Sequence, residues 1–153
     1  MKQIFLIAVL VVIGFVLFFL NSHYRTIEVT YVTVEMPSGD ELVLKRAVTH
    51  DEVVRGLSHV SEMVDYDGML FVFDQPMTVN FWMNDMTFSL DLIYLDENRV
   101  VQEIHHDKLP CLSGELDNCE KYKSVTGNIK YVVEIPAGMS DNYQIEISKE
   151  IKW

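Results

Sequence analysis

A carboxylate inside an apolar segment is the first feature of this sequence that could carry chemistry. Asp91 lies within the apolar run of residues 88–94, where a carboxylate is costly unless it is hydrogen-bonded or paired. Arg55 is the natural partner, because its guanidinium matches a carboxylate with two parallel hydrogen bonds. We therefore expect an Arg55–Asp91 pair, which either pins a short helix to a sheet or lines a polar pocket.

An aromatic side chain and a thioether stand next to each other at Trp82 and Met83. Neighbouring residues of a strand point to opposite faces, so one of the two should pack in the core and the other should face a groove or solvent. Trp82 either fills the core or marks a ligand surface beside polar groups. The sequence thus offers Arg55, Trp82 and Asp91 as candidate ligand-binding residues.

A row of possible metal ligands, Glu103, His105 and Asp107, alternates onto one face of a predicted strand. Such a row is more often a solvated face, and no Cys-x-x-Cys or His-x-x-x-His spacing accompanies it. The sequence also contains no phosphate-binding loop and no nucleophile elbow. It therefore predicts no metal site, no cofactor and no catalytic set of residues.

The two cysteines, Cys111 and Cys119, lie in a long polar segment between predicted strands. If the domain is outside the cytoplasm, a disulfide is the expected state. It would stabilise the fold by roughly 2 to 3 kcal/mol on the chain-entropy estimate. A redox or metal-binding pair is the alternative, for which this spacing is unsuited.

The elements that must position these residues are mostly short strands. Residues 27–48 predict a hairpin around the turn signature of residues 37–40. Thr49 and Glu52 match a capping box, which predicts a helix of about two turns ending near Gly56 or Leu57. Further strands are predicted over residues 68–73, 78–83, 88–96, 100–106, 128–135 and 144–153. This pattern predicts a mainly β (α+β) fold, a compact β-barrel-like rolled sheet with one short helix.

An uncharged apolar run covers residues 4–20. As a helix it would span about 26 Å at 1.5 Å per residue, and no small-x-small cleavage site follows it. We interpret residues 1–25 as a signal anchor that forms a transmembrane helix, with a cleaved signal peptide and secretion as the alternative. Lys2 favours a cytoplasmic amino terminus, which makes residues 26–153 an extracytoplasmic domain.

Acidic side chains dominate the charge, with 23 Asp and Glu against 12 Lys and Arg and a net charge of -11. Phosphate binding needs clustered cations, so nucleic acid is a poor partner. Anionic lipid would repel the acidic domain as well. We therefore expect contact with the membrane through the N-terminal helix, and an envelope protein or a small molecule as the partner of the domain.

Several short motifs follow one another along residues 27–153. They are Thr49-x-x-Glu52-x-x-Arg55-Gly56-Leu57, Asp67-Gly68-Met69-Leu70-Phe71-Val72-Phe73, Phe81-Trp82-Met83, Leu90-Asp91, Val100-Val101, Tyr131-Val132-Val133-Glu134 and Ala137-Gly138. In this order and spacing they resemble the domain-of-unknown-function 192 (DUF192) family of small bacterial and archaeal proteins. The resemblance implies a compact β-rich domain after an export or anchor segment. It implies no mechanism, because the family's activity is not established.

The resemblance also implies a disulfide, since many members have a cysteine pair after the proline seen here as Pro110. The sequence departs from the family pattern at several positions. Ser58 stands where the family usually has Met, and Ser89 where it usually has Pro. The triplet Asn84-Asp85-Met86 replaces the usual Lys-Asn-Thr. If these positions form a shared site, this chain has lost part of it.

The expected function is a membrane-anchored extracytoplasmic accessory or binding domain without catalysis, with its ligand in a groove beside Trp82. The alternative is a small cell-envelope enzyme, hydrolase-like, that uses Asp91 or Glu52 as acid or base in that groove. A second carboxylate or a histidine beside Asp91 in an open cleft would favour the enzyme. A closed structure with Asp91 locked to Arg55 would favour the binding domain.

Overall fold

The computed structural model describes residues 30–111 and 119–153, together with residue 15. The segment predicted to cross the membrane, residues 1–25, lies outside them apart from that one position. Within the described residues, no helix has both the length and the apolar character needed to cross a bilayer.

The described part of the chain consists of short strands and two short helices. The strands are β1 (Tyr31–Glu35), β2 (Glu41–Ala47), β3 (Gly68–Met77), β4 (Asn80–Trp82), β5 (Leu90–Leu95), β6 (Val101–Lys108), β7 (Lys121–Lys123) and β8 (Ile129–Pro136). Helix α1 (His50–Arg55) follows β2, and helix α2 (Met139–Asn142) follows β8. The prediction of a mainly β fold is confirmed.

Six of these strands form one mixed sheet in the order β1-β2-β3-β8-β5-β6, and β4 pairs with β7 in a separate ribbon. Strands β2 and β3 are parallel, with α1 between them in the chain, and the other neighbours are antiparallel. The predicted hairpin is confirmed as β1 and β2, joined by a turn in which Gly39 has φ 93°.

The sheet is open, so the prediction of a barrel-like closed structure is wrong. Among the described strands, β1 and β6 are the two edges of the sheet and do not pair with each other. The C-terminal segment lies across both ends instead, because Lys152 bridges to Glu35 in β1 and Glu150 bridges to Val100 before β6. Single bridges of this kind brace the edges without closing the hydrogen-bond ladder.

The core lies on both faces of the sheet, and alternate residues of β5 divide between them. Leu92 and Tyr94 belong to the cluster covered by α1 and the β4–β7 ribbon, which we call the α1 face. Ile93 and Leu95 belong to the cluster covered by α2 and the C-terminal segment, the α2 face. Because successive side chains of a strand alternate, Asp91 lies on the α2 face.

The last predicted strand, residues 144–153, is wrong. The chain there forms turns after α2, and Gln144 and Ser148 have φ 53° and 71°, a left-handed conformation that interrupts an extended strand. Ile145 and Ile151 are buried in the α2 face whereas Ile147 is exposed. The loose alternation of isoleucines thus reflects two anchor points and not a strand.

Two further differences concern the length of β3 and the presence of β7. Strand β3 continues to Met77, past the predicted end at residue 73, and its pairing with β8 shifts register between Val72 and Met77. This irregularity accommodates Pro76, which has no N–H for a regular ladder. Strand β7 was not predicted, because Tyr122 is the sole apolar side chain of its three residues.

Candidate functional site

Helix α1 begins at the predicted capping box, which fixes its direction. The Thr49 side chain accepts from the Glu52 N–H at 3.3 Å, and the Glu52 carboxylate accepts from the Thr49 and Val48 N–H groups at 2.8 and 3.0 Å. These hydrogen bonds lower the pKa of Glu52. The helix ends at Arg55, and Gly56 follows as its cap with φ 50°. Val53 packs inward, and Val54 is 60% exposed.

Strand β4 separates the Trp82–Met83 pair as the sequence predicted. Met83 is buried on the α1 face, and Trp82 remains 40% exposed. Phe81 points inward and meets Phe71 edge to face, with ring centroids 4.9 Å apart. The interpretation in which Trp82 fills the core is therefore wrong, and its ring belongs to the surface.

An apolar groove of about 400 Å³ lies beside Trp82, between α1 and β4. Its lining consists of Val53, Val54, Phe73, Met77, Thr78, Val79, Asn80, Phe81 and Trp82. None of these side chains titrates, and three large apolar members are exposed: Val54, Met77 and Trp82. The groove can therefore hold an apolar group but supplies no acid or base of its own.

Positive charges flank the tryptophan side of this groove. The β4–β7 register places Lys121 opposite Trp82 and Lys123 opposite Asn80. Lys121 Nζ lies 5.9 Å from the centroid of the Trp82 ring, in cation–π range. Arg55, exposed at the last position of α1, adds a cation next to Val54. Lys121 and Lys123 therefore favour an anion at the tryptophan side of the groove.

Asp91 is buried elsewhere, and its hydrogen bonds come from backbone and serine donors. It is fully buried, its Oδ1 accepts from the Asp107 N–H at 2.9 Å, and its Oδ2 accepts from Ser140 N–H and Oγ at 3.0 and 2.7 Å. Burial raises its pKa, but these hydrogen bonds outweigh burial and the pKa is lowered overall. The carboxylate holds α2 against the sheet.

The predicted Arg55–Asp91 pair is therefore wrong. Asp91 lies on the α2 face, whereas α1 covers the opposite face of the sheet and leaves Arg55 exposed. The sequence correctly indicated that the buried carboxylate needs donors, but the donors are Asp107 and Ser140. Of the three candidate residues, Trp82 lines the groove, Arg55 is exposed directly after the lining residue Val54, and Asp91 lies on the other face of the sheet.

A serine, a histidine and an aspartate do meet at Ser140, but not in a hydrolytic arrangement. Ser140 Oγ donates to Asp91 and lies 3.0 Å from His106 Nδ1. In a nucleophilic triad the histidine lies between the other two and accepts the serine proton. Here that proton is directed to Asp91, and Ser140 is fully buried. The cluster is a structural anchor for α2.

A second buried carboxyl group, Glu134, was not predicted, although it also lies inside an apolar run, the same signal that indicated Asp91. Glu134 interrupts the apolar strand β8 and is flanked by Met69 and Leu92 on the α1 face. Its Oε2 has no hydrogen-bond partner among the described residues. Burial raises its pKa to about 8, so the group is protonated at neutral pH.

The row Glu103, His105 and Asp107 does not form a metal site. Among residues 30–111 and 119–153, no group of three or more His, Cys, Asp or Glu could hold a metal ion. Glu103 Oε2 lies 3.7 Å from His105 Nε2, but Asp107 has φ 53° and donates its N–H to Asp91. Burial lowers the pKa of His105.

The positions that depart from the family pattern partly meet in space. Ser58 Oγ donates to the Asn84 carbonyl at 2.9 Å, and the neighbouring His59 N–H donates to the Asp85 carbonyl at 2.9 Å. His59 and Asp85 both have positive φ, at 63° and 55°, a conformation that is uncommon outside glycine. These two hydrogen bonds hold the loop after α1 against the loop after β4.

The predicted disulfide is confirmed and closes this region. Cys111 and Cys119 are bonded, with Cα atoms 5.7 Å apart. Cys111 also pairs with the loop after β4, because its N–H donates to the Met83 carbonyl at 2.8 Å and its carbonyl accepts from the Asp85 N–H at 2.9 Å. The bond therefore links the end of β6 to the start of β7 beside β4.

Comparisons with known proteins agree on the fold. The DUF192 family model, described as "Uncharacterized ACR", matches residues 32–153. A protein of unknown function from Novosphingobium aromaticivorans DSM 12444 is 24% identical with a TM-score of 0.69, covering 85% of this chain and 90% of that chain. A protein from Sinorhizobium meliloti 1021, described provisionally as a transcription regulator, is 23% identical with a TM-score of 0.69, covering 82% and 96%. No curated protein matches this chain significantly.

Proposed function

The chain belongs to the DUF192 family, which carries no assigned activity, and we propose that it is a binding module without catalysis. In this proposal residues 1–25 hold the domain at the outer face of a membrane, and the groove between α1 and β4 takes a ligand or partner. The observation that supports it is the exposed Trp82 ring at the mouth of an apolar groove, with Lys121 over it.

The chemistry of the groove favours binding over catalysis. An acid–base mechanism needs a titratable group within hydrogen-bond reach of the substrate, and the groove lining contains none. The two carboxylates considered for that role are committed elsewhere, since Glu52 caps α1 and Asp91 anchors α2. The groove therefore retains an apolar group and places an anion near Lys121 or Arg55.

The disulfide supports the extracytoplasmic location in this proposal. Disulfides persist in oxidising compartments and are rare in the cytosol, and Cys111 and Cys119 form one. In this proposal, apolar residues 4–20 tether the domain to the membrane with Lys2 on the cytoplasmic side, so the disulfide lies outside the cytoplasm.

The proposal is tested with three small probes that share a phenylbutyl group and differ in charge. They are 4-phenylbutyrate, 4-phenylbutanol and 4-phenylbutylamine, titrated against the full chain in lipid nanodiscs by saturation-transfer NMR, with empty nanodiscs as the blank. We expect the carboxylate to bind best. One cation about 5 Å from the anion contributes roughly 0.8 kcal/mol in water, or about 4-fold in affinity.

Matched variants locate the binding. Trp82→Ala and Val54→Asp should each abolish the signal, because one removes the ring and the other puts a charge into the groove wall. Ile147→Asp should leave it intact, since Ile147 is 63% exposed, close to the 60% of Val54, but belongs to the segment that covers the opposite face. Equal loss in all variants, or no binding of any probe, would contradict the proposed function.

A further inference from the structure

The groove follows the edge of β4 that faces away from β7. Phe81 points to the core face of the ribbon and Trp82 to its outer face, yet both line the groove, and no residue of β7 does. A groove that touches side chains from both faces of one strand lies along that strand's edge. The opposite wall is α1, through Val53 and Val54.

The backbone of β4 presents hydrogen-bonding groups to this edge. In an antiparallel pair, the N–H and C=O groups of successive residues point alternately towards the partner strand and away from it. Val79 points to β7, because its carbonyl accepts from the Ser124 N–H at 3.0 Å and its N–H donates to Ser124 Oγ at 3.1 Å. Counting along the strand, Phe81 also points to β7, whereas Asn80 and Trp82 direct their backbone groups outward.

This outer edge has no strand beside it among the described residues, since β4 pairs with β7 alone. An unpaired edge next to an apolar groove is the arrangement by which domains bind an extended peptide as an added strand. Backbone hydrogen bonds then supply affinity, and alternate side chains of the peptide enter the groove.

The charges select the kind of peptide. Lys121 and Lys123 project from the same face of the ribbon as Trp82 and Asn80, and Arg55 ends the opposite wall. An extended segment along β4 therefore passes Lys121 and Lys123 on its β7 side, and acidic side chains next to apolar ones match these cations.

We propose that the groove binds an extended, acidic segment of a partner polypeptide, which pairs with the outer edge of β4 and inserts apolar side chains between β4 and α1. This inference rests on the proposed function and names its partner class. A strand of about five residues, or about 17 Å, would cover β4.

The test is a selection of nine-residue peptides from a random display library on the full chain in nanodiscs, with counter-selection on Trp82→Ala nanodiscs. We expect winners that alternate apolar residues with Asp or Glu. Lys121→Glu should weaken them about 4-fold or more, and Lys149→Glu, an exposed lysine near the C-terminus, should not change their affinity.

N-methylation of the best peptide separates strand addition from side-chain binding alone. Methyl groups on one set of alternate amides block hydrogen bonds to β4, and those on the other set point away. Methylation of the amides that face β4 removes two hydrogen bonds, so we expect it to weaken binding about 10-fold or more. Methylation of the amides that point away should weaken binding less than 3-fold. Equal tolerance of both sets would overturn strand addition.

The remaining outcomes also decide between the proposals. If 4-phenylbutyrate binds through Trp82 but no peptide survives selection, the groove is a small-molecule site and the partner class is wrong. A concentration-dependent dimer that Trp82→Ala abolishes would identify a second copy of the chain as the occupant and would likewise overturn it. If neither probe nor peptide binds, the proposed function fails with it.

Discussion

Replacing Glu134 by glutamine should remove a pH dependence that is built into the core. The glutamate carboxyl is enclosed between Met69 and Leu92, and its Oε2 has no partner among the described residues. Burial raises the pKa of Glu134 from 4.5 to about 8. Glutamine has nearly the same shape and stays neutral at every pH, so Glu134→Gln isolates the cost of ionisation.

The sign follows from proton binding. Between pH 4.5 and about 8 the unfolded chain releases the Glu134 proton and the folded chain retains it. The folded state then binds more protons, so the free energy of unfolding falls as pH rises through this window. The difference between 4.5 and about 8 in the pKa of Glu134 corresponds to about 5 kcal/mol of unfolding free energy at most.

The assay is urea unfolding of the full chain in detergent micelles, followed by tryptophan fluorescence from pH 4 to 9. The difference in unfolding free energy between wild type and Glu134→Gln cancels the titration of all other groups. We expect this difference to be constant below pH 4.5. Between pH 4.5 and about 8 the wild type should lose several kcal/mol of unfolding free energy relative to Glu134→Gln, and above about pH 8 the difference should be constant again.

Glu97→Gln, at an exposed turn, is the control for removal of a surface charge. A wild-type-minus-Glu134→Gln difference that stays flat across pH 4.5 to 8 would refute the reasoning. It would mean that the carboxyl is solvated or hydrogen-bonded in the folded protein.

Three further predictions concern bonds that hold the elements in place. Asp91→Ala should lower the unfolding free energy by about 3 to 5 kcal/mol, because it leaves buried donors unsatisfied. In wild type, this contribution should be lost as pH falls below 3.8 and through the lowered pKa of Asp91. Urea titrations at pH 7 and at successively lower pH measure both effects, and an equal loss for an exposed Asp51→Ala would contradict them. Thr49→Ala should cost about 1 kcal/mol by removing the cap of α1, measured as a lower urea midpoint that Thr49→Ser restores. Cys111→Ser with Cys119→Ser should cost roughly 2 to 3 kcal/mol, measured as a lower urea midpoint. A wild-type midpoint that is the same under reducing and oxidising conditions would argue against it.

Local signals in the sequence predicted the local structure. The capping box at Thr49 and Glu52 involves residues three positions apart, so the helix start could be found without knowledge of the fold. The same holds for the β1–β2 hairpin and for the alternation that sends Trp82 and Met83 to opposite faces, although the sequence did not indicate which of the two is buried. In each case the energy that decides the conformation lies within a few neighbouring residues.

The pairing of strands that are distant in the chain could not be predicted from the sequence. Whether β1 and β6 meet depends on the twist and order of the whole sheet, and no local pattern encodes it. The partner of Asp91 was missed for a related reason: arginine was chosen by its charge, whereas the donors are the Asp107 backbone and Ser140. Backbone N–H groups look alike in every sequence, so burial indicated a need for partners without identifying them.

The candidate groove was also only partly visible in advance. Trp82 was predicted as a candidate and lines the groove, but the groove is built from residues of α1, β3 and β4 that are up to 29 positions apart, from Val53 to Trp82. Lys121, the cation beside the Trp82 ring, belongs to β7, a strand of three residues that is too short to be recognised in the sequence.

The order of strands has a consequence for a chain that emerges from its amino terminus. Strand β8 lies between β3 and β5 in the middle of the sheet, yet it follows both in the chain. Until residue 136 has emerged, β3 and β5 lack a common neighbour and each leaves an edge exposed, which invites aggregation. The braces from Glu150 and Lys152 form later still. The sheet can therefore assemble only after β8 has emerged, and until then the nascent chain carries two unpaired strand edges.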